Sequence, residues 1–205
     1  MPHRQGTKEL IFDAFIELTS ALGYENVGIR DITTKVGITP PSLYYHFESK
    51  GKLLEYTYKY YARHQYDTRT PADAMKELIE TAGAGEIVGA CAYTFESEDQ
   101  QQYARMILIT KIIYMRLFQD PAANEMFAAN TANNIAYVTD ILQHGVDIGR
   151  IDRDFDLVTF ANILIGSLQI MGVKAFAGQD YAVGQLEQEK RILGMLTRLL
   201  ATALR

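Results

Sequence analysis

A single cysteine, Cys91, in 205 residues excludes an intrachain disulfide and leaves too few thiolates for a zinc finger. Apolar runs such as Met106–Ile109 fall far short of the roughly 20 residues that a bilayer-spanning helix needs, so no membrane partner is expected. The opening MPHRQGTKEL lacks the apolar core of a signal peptide. These absences together describe a cytoplasmic protein. No Gly-rich phosphate loop, His-Glu-x-x-His motif or nucleophile elbow occurs, so the chain is read as a non-enzyme without cofactor or metal. No long segment is polar enough to be disordered, and hydrophobic residues make up 48% of the chain, enough for a real core. Positive charge is scarce too: the net charge is −5, which alone argues against a nucleic-acid partner. Its distribution softens that objection. Residues 1–63 hold eight Lys+Arg against seven Asp+Glu, whereas residues 64–205 hold twelve against eighteen. The first part is weakly basic, which permits DNA binding without indicating it.

What the chain does have is helical periodicity. In Thr7–Leu22 the apolar positions Leu10, Ile11, Ala14, Phe15, Leu18, Ala21 and Leu22 form one stripe, ended by Gly23. A second helix is expected over Ile29–Val36, with Ile29, Ile32 and Val36 on one face and Gly37 as its stop. Thr39 then has the chemistry of an N-cap. Pro40 suits the first helical position, and Pro41 the next, because N–H groups there have no intrahelical partner. In the short helix that follows, Leu43 and Phe47 would face inward, leaving Pro41, Ser42, Tyr44, Tyr45 and His46 outward. A helix of this length is unstable alone and must be held by its neighbours. Ser49 can cap a fourth helix reaching about Arg63, with Leu53, Leu54, Tyr58 and Tyr61 along one face. Seven of the 13 tyrosines lie between Tyr44 and Tyr66. Apart from Tyr44 and Tyr45 they read as a packed aromatic seam. Two short helices joined by a glycine turn, held by flanking helices, are the means by which a helix is placed in the DNA major groove.

Asp67–Asp73, containing Thr68, Thr70 and Pro71, marks the boundary between a domain of residues 1–63 and one of residues 64–205. Beyond it no strand-like alternation appears, and helices are expected at 72–82, 86–96, 100–118, 122–149, 156–177 and 187–204. Asp99–Gln102 would cap the third of these, Asp120-Pro121 would start the fourth, and Gly149–Asp156 would form a charged turn. Leu157–Phe176 is apolar nearly all round and so needs cover on every side. That points to an isologous dimer interface built from Phe160, Leu164, Leu168 and Met171 with Leu193, Leu196 and Leu200 of the last helix, against the alternative of a wholly intrachain core. Asp140, His144 and Asp147 recur on one helical face, where they would either hold a metal or an acid–base pair or simply meet solvent. For a small-molecule pocket the candidates are Tyr103, Met106, Ile107 and Met115, with Tyr137, Ile141, His144 and Met171. The same residue types at helical spacing also build cores.

The stretch GYENVGIRDITTKVGITPPSLYYHFESKGKLL, from Gly23 to Leu54, resembles the DNA-binding signature of TetR-family transcriptional regulators, and the likeness extends over about residues 7–63. The rest of the chain is similar to that family only in size, helicity and the GRID turn (Gly149–Asp152) before a long apolar helix. The resemblance implies an all-α homodimer: an N-terminal three-helix DNA-binding domain with a helix-turn-helix, linked by a long helix to a larger C-terminal bundle that dimerises. It implies a ligand-responsive repressor released from a pseudo-palindromic double-stranded DNA operator by a small hydrophobic or aromatic effector. By the same likeness, Thr39, Pro41, Ser42 and Tyr44 approach bases or nearby phosphates. Tyr45, His46 and Lys50 fix the duplex backbone, and Arg30 reaches a base or phosphate. Val27 and Gly28 depart from the Ser or Thr that many members carry before helix two, and the double proline stiffens the reading helix. Two alternatives stay open, a helical ligand carrier or enzyme that does not use DNA, and a regulator without an effector.

Overall fold

A computed structural model describes residues 6–66, 70–92, 100–176 and 182–205. Within them the chain forms α1 (Thr7–Leu22), a 3₁₀ turn (Tyr24–Asn26), α2 (Ile29–Val36), α3 (Pro40–His46), α4 (Lys50–His64), α5 (Ala72–Thr81), α6 (Ala84–Ala92), α7 (Gln100–Arg116), α8 (Pro121–Asp147), α9 (Leu157–Phe176) and α10 (Ala182–Ala203). Among the described residues there is no β-strand, only an isolated bridge between Ile151 and Leu204. The chain is all-α, as expected. Each anticipated helix is present, with α6 placed two residues earlier and α10 five residues earlier than the periodicity predicts. The proposed cap at Asp99 lies outside the described residues.

The punctuation follows local chemistry. Gly23 and Gly37 end α1 and α2 at φ 85° and 76°, values an L side chain rarely adopts. Ser49 Oγ accepts from Lys52 N at 3.1 Å and caps α4. Asp120 starts α8 by accepting from Ala122 N at 3.0 Å. Thr39 departs from expectation: it is the residue before α3, but its side chain makes no capping bond. The sequence that follows contributes to this: an N-cap oxygen accepts from the second or third helical N–H, and Pro41 at the second position has none, which leaves only that of Ser42.

Compactness divides the helices into two units. One comprises α1–α4, α7 and α8 as far as Phe127; the other comprises α5, α6, α8 from Ala128, α9 and α10. The first core is rich in rings. Phe12 meets Tyr56 edge-on and Tyr60 at a tilt, both with centroids 5.1 Å apart, and Phe47 meets Tyr56 at 5.4 Å. Arg105 of α7 donates two bonds to Asp13 of α1, at 2.6 and 2.9 Å, and locks these helices together. The second core is mainly aliphatic, built on Met75, Ile79, Ile87, Ile141, Leu164 and Leu200, with Phe160 as its buried ring.

The aliphatic core takes in most of the residues expected at a dimer interface. Phe160, Leu164, Leu196 and Leu200 are buried inside one chain, and Leu168 and Leu193 pack partly buried against them. Among the described residues of the same helices, the exposed large apolar side chains are Val158, Ile163 and Ile170 on α9 and Met195 and Leu199 on α10. A helix apolar on several faces gives no periodic signal to tell its inward stripe from its outward one.

Candidate nucleic-acid interface

The short helix α3 is anchored from beneath and bare above. Leu43 is fully buried and Phe47 nearly so, which fixes the helix to the aromatic core of its unit. Its backbone ladder is short, with Leu43 N donating to Thr39 O at 3.2 Å and Phe47 N donating to Leu43 O at 2.9 Å. At about 100° per residue, Tyr45 falls opposite the Leu43–Phe47 stripe, and Pro41, Ser42, Tyr44 and His46 flank it. Tyr45 is 86% exposed and Tyr44 50% exposed. Tyr45 leans edge-on against His46, ring centroids 5.1 Å apart. Arg30, Thr39 and Pro41 are exposed, and Ser42 and His46 are half-buried. These seven residues therefore lie on the start of α2, the turn and the outward side of α3. That surface offers hydroxyls, an imidazole, a guanidinium and two ring faces, the chemistry suited to phosphate oxygens, base edges and thymine methyls.

Lys50 is the eighth expected contact and the structure turns it elsewhere. Its Nζ donates to Tyr24 O at 2.9 Å and to Val27 O at 3.0 Å, and sits 4.1 Å from the Tyr24 ring centroid. Among the described residues no carboxylate pairs with it. The flexible stem lets the ammonium fold back onto two carbonyls at the entrance to α2. That entrance is otherwise thinly capped: Gly28 has no side chain, and only Asp31 reaches back, its Oδ2 accepting from Gly28 N at 2.7 Å.

Tyr24 also carries a second cation. The Arg116 guanidinium lies 4.3 Å from the same ring centroid, its Nε donating to Asp120 Oδ2 at 3.2 Å and its Nη1 facing Glu25 Oε1 at 3.4 Å. Tyr58 OH donates to Asp120 Oδ2 at 2.8 Å. Burial, and then the Asp120 bond, push the Tyr58 hydroxyl well above its ordinary value. Burial of Asp120 opposes its ionisation, but the Tyr58 and Arg116 bonds win and hold its carboxyl below the usual range. Sequence reasoning missed Tyr24, Arg116 and Asp120 as a group, because nothing local in the sequence links residues so far apart.

The expected effector residues are not gathered around one cavity within either unit. Tyr103, Met106, Ile107 and Met115 belong to the first unit, and Tyr137, Ile141, His144 and Met171 to the second. Met106 is buried in the first core and Ile141 in the second, so both are packing residues, while Ile107 and Met115 are exposed. Tyr137 OH donates to Thr70 O at 2.5 Å, and His144 Nε2 lies 3.0 Å from Glu80 Oε1. A cavity of about 640 Å³ does occur in the second unit, lined by Thr139, Gln143, Asp147, Arg153, Phe155 and Val158 among others, and none of the eight expected residues lines it. Asp140, His144 and Asp147 also stay apart: Asp140 is 3.9 Å from Lys76, His144 pairs with Glu80, and Asp147 accepts from Gln143 at 2.8 Å. Among the described residues no group of three His, Cys, Asp or Glu is placed to hold a metal ion, and no helix is long and apolar enough to cross a membrane.

Comparison with known proteins falls on this surface. Residues 11–57, which run from α1 into α4, match the tetR family of bacterial regulatory proteins. The HTH-type transcriptional regulator SrpR of Pseudomonas putida is 23% identical over 163 residues, 78% of this chain and 70% of that one. The icaADBC negative transcriptional regulator IcaR of Staphylococcus aureus strain Newman is 42% identical over 52 residues, covering 25% of this chain and 28% of that protein. Among solved structures, a transcriptional regulator from Saccharomonospora viridis in complex with choline superposes with a TM-score of 0.64 at 17% identity, covering 93% of this chain and 95% of that one. This last likeness carries the fold over nearly the whole length.

Proposed function

We propose that this chain, a TetR-family transcriptional regulator by its residues 11–57, is a cytoplasmic dimeric repressor that reads a pseudo-palindromic operator through α3. The observation that carries the reading is the two-sidedness of α3: Leu43 and Phe47 are buried while Tyr44 and Tyr45 stand 50% and 86% exposed. Aromatic exposure of this degree on a seven-residue helix loses hydrophobic stabilisation and is justified by a partner that the rings and hydroxyls meet. Thr39 supports the same face, since its hydroxyl, freed from capping, is available to a phosphate or base. Arg30, Pro41, Ser42 and His46 complete the contact set.

The second half of the reading is dimeric and ligand-responsive. Val158, Ile163 and Ile170 on α9 and Met195 and Leu199 on α10 leave an exposed aliphatic surface that a symmetry mate would cover. The name of IcaR, a negative transcriptional regulator, supports negative regulation, and the choline complex of the Saccharomonospora viridis regulator supports a small-molecule effector. In this division residues 1–63 read DNA and residues 64–205 dimerise and bind the effector. The effector acts by favouring a dimer whose two reading helices no longer match the half-sites, because only differential affinity shifts such an equilibrium.

The test is selection of a duplex from a random pool by the full-length chain, followed by gel shift and sedimentation of the complex. The expected outcome is an inverted repeat bound by two chains, with affinity reduced at least about a hundredfold in a Tyr44→Ala/Tyr45→Ala variant of unchanged helical circular dichroism. Equal binding by that variant, or enrichment of no sequence, sinks the reading.

A further inference from the structure

We propose that the ring of Tyr24, gripped by Lys50 and Arg116, is the positioning device of the DNA-reading unit, and that Lys50 serves DNA binding through this grip rather than by touching phosphate. The proposal rests on the reading that α3 meets DNA. Three segments converge on the ring. Lys50 is the first residue of α4, directly after the short loop that closes α3; Arg116 is the last residue of α7; Tyr24 opens the turn that leads into α2. The two cations lie 4.1 and 4.3 Å from the ring centroid, close enough for each to gain from the negative face of the π system.

Each cation is also tied beyond the ring, which makes the arrangement a strut. Lys50 donates to the carbonyls of Tyr24 and Val27, on either side of the 3₁₀ turn, and so pins the approach to α2 against the start of α4. Arg116 is held by Asp120 and Glu25, and Asp120 in turn accepts from Tyr58 on α4. The segment that leads into α2 and the start of α4 are thus joined to each other and to the α7–α8 corner. The buried Leu43 and Phe47 hold α3 from beneath. The Tyr24 grip braces the segment that enters α2 and the first turn of α4, between which α3 lies in the chain. With two of its three protons given to carbonyls and its charge over a ring, Lys50 is poorly disposed to neutralise a phosphate.

The experiment uses the full-length dimer and the duplex that the wild type selects, with affinity measured by fluorescence anisotropy across a range of salt concentrations. A lost phosphate contact flattens the dependence of log K on log salt by about 0.9 for each contact, whereas a lost positioning contact leaves the slope alone. We expect Lys50→Met, Arg116→Lys and Tyr24→Leu each to weaken binding about tenfold at every salt concentration with the wild-type slope, and Tyr24→Phe, which keeps the ring, to bind as wild type. A Lys50→Met slope lower by about two units, one contact in each chain, overturns the proposal. So does wild-type affinity in Arg116→Lys, or loss of its helical circular dichroism, which would assign the stack to folding alone. A wild-type chain that selects no duplex fails the DNA reading instead, and is seen before any variant is made.

Discussion

The two units of this chain expose different kinds of apolar surface. In the first, the outward rings of Tyr44 and Tyr45 sit on a helix of seven residues. In the second, Val158, Ile163, Ile170, Met195 and Leu199 sit on helices of 20 and 22 residues. Tyrosine gives a ring and a hydroxyl together, so it suits a wet, polar partner such as the edge of a duplex. Aliphatic side chains have nothing to offer such a partner and suit a dry, self-complementary one. The cores differ in the same sense. Rings fill the first and aliphatic side chains the second, where Gly145 is the most tightly enclosed of the described glycines.

The contrast would break most visibly at the anchor of α3. Leu43 is fully buried and its truncation leaves a hole beneath the reading helix. Leu43→Ala is expected to destabilise the first unit by about 2–5 kcal/mol and to abolish operator binding. Denaturant unfolding followed by tyrosine fluorescence would measure it. That signal is weighted to this unit because the chain has no tryptophan and seven of its 13 tyrosines lie between Tyr44 and Tyr66. An unchanged unfolding midpoint would mean that α3 is held by something other than this stripe.

A smaller effect is expected in the second unit, of the opposite kind, from overfilling. A Cβ on Gly145 would come within 2.7 Å of Ile151 Cδ1 and 2.9 Å of Ile79 Cγ2. Gly145 is buried in α8, so Gly145→Ala gains helix propensity but must push two isoleucines aside. We expect a net loss of about 1–3 kcal/mol, read as a lower thermal midpoint with operator affinity retained at low temperature. If instead the variant is stabilised, the second core is looser than its aliphatic packing indicates.

Legibility divided along the same line as the chemistry. The first unit is made of short elements, and short elements need punctuation: Gly23, Gly37, Pro40 and Ser49 mark its boundaries, and Leu43 with Phe47 shows which side of α3 faces in. The outward placement of Pro41, Ser42, Tyr44, Tyr45 and His46 is therefore legible from the spacing alone, whereas Arg30 and Thr39 enter only through the family resemblance. The course of Lys50 is legible from neither. A sequence places a lysine at a helix start but does not say where a four-carbon stem will carry its charge, and the carbonyls that take it belong to another segment. In α9 and α10 the trouble was excess rather than lack of signal. Phe160 and Leu164 look no more inward than Val158 or Ile170, since α9 is apolar nearly all round, and the stripe of α10 is too broad to tell the buried Leu196 and Leu200 from the exposed Leu199. The burial of Met106 and Ile141 in the two cores was hidden for a related reason: cores and pockets draw on the same side chains.

The smallest expected effect separates the two units by pH. Asp120 lies in the first unit, where burial opposes ionisation but the bonds from Tyr58 and Arg116 hold its carboxyl below the ordinary 3.8. A carboxyl whose pKa is depressed on folding stabilises the fold above its unfolded value, and that contribution is lost as pH falls through the folded value. The Asp120 network should therefore be intact at neutral pH and weaken below about pH 4. Glu55, drawn down to about 2 by its bond from Lys52 and then Lys59, titrates in the same direction but is fully exposed, so its pairs are worth little to stability. Asp120→Asn is the discriminating variant. It should lower the thermal midpoint at neutral pH, because the amide cannot neutralise Arg116, and should flatten the loss of stability below pH 4 relative to wild type. Glu55→Gln should leave that acid limb nearly unchanged. Were the two variants to exchange these behaviours, the acid sensitivity of the first unit would belong to its surface pairs, and the Tyr58–Asp120–Arg116 link would not be what ties α4 to the α7–α8 corner.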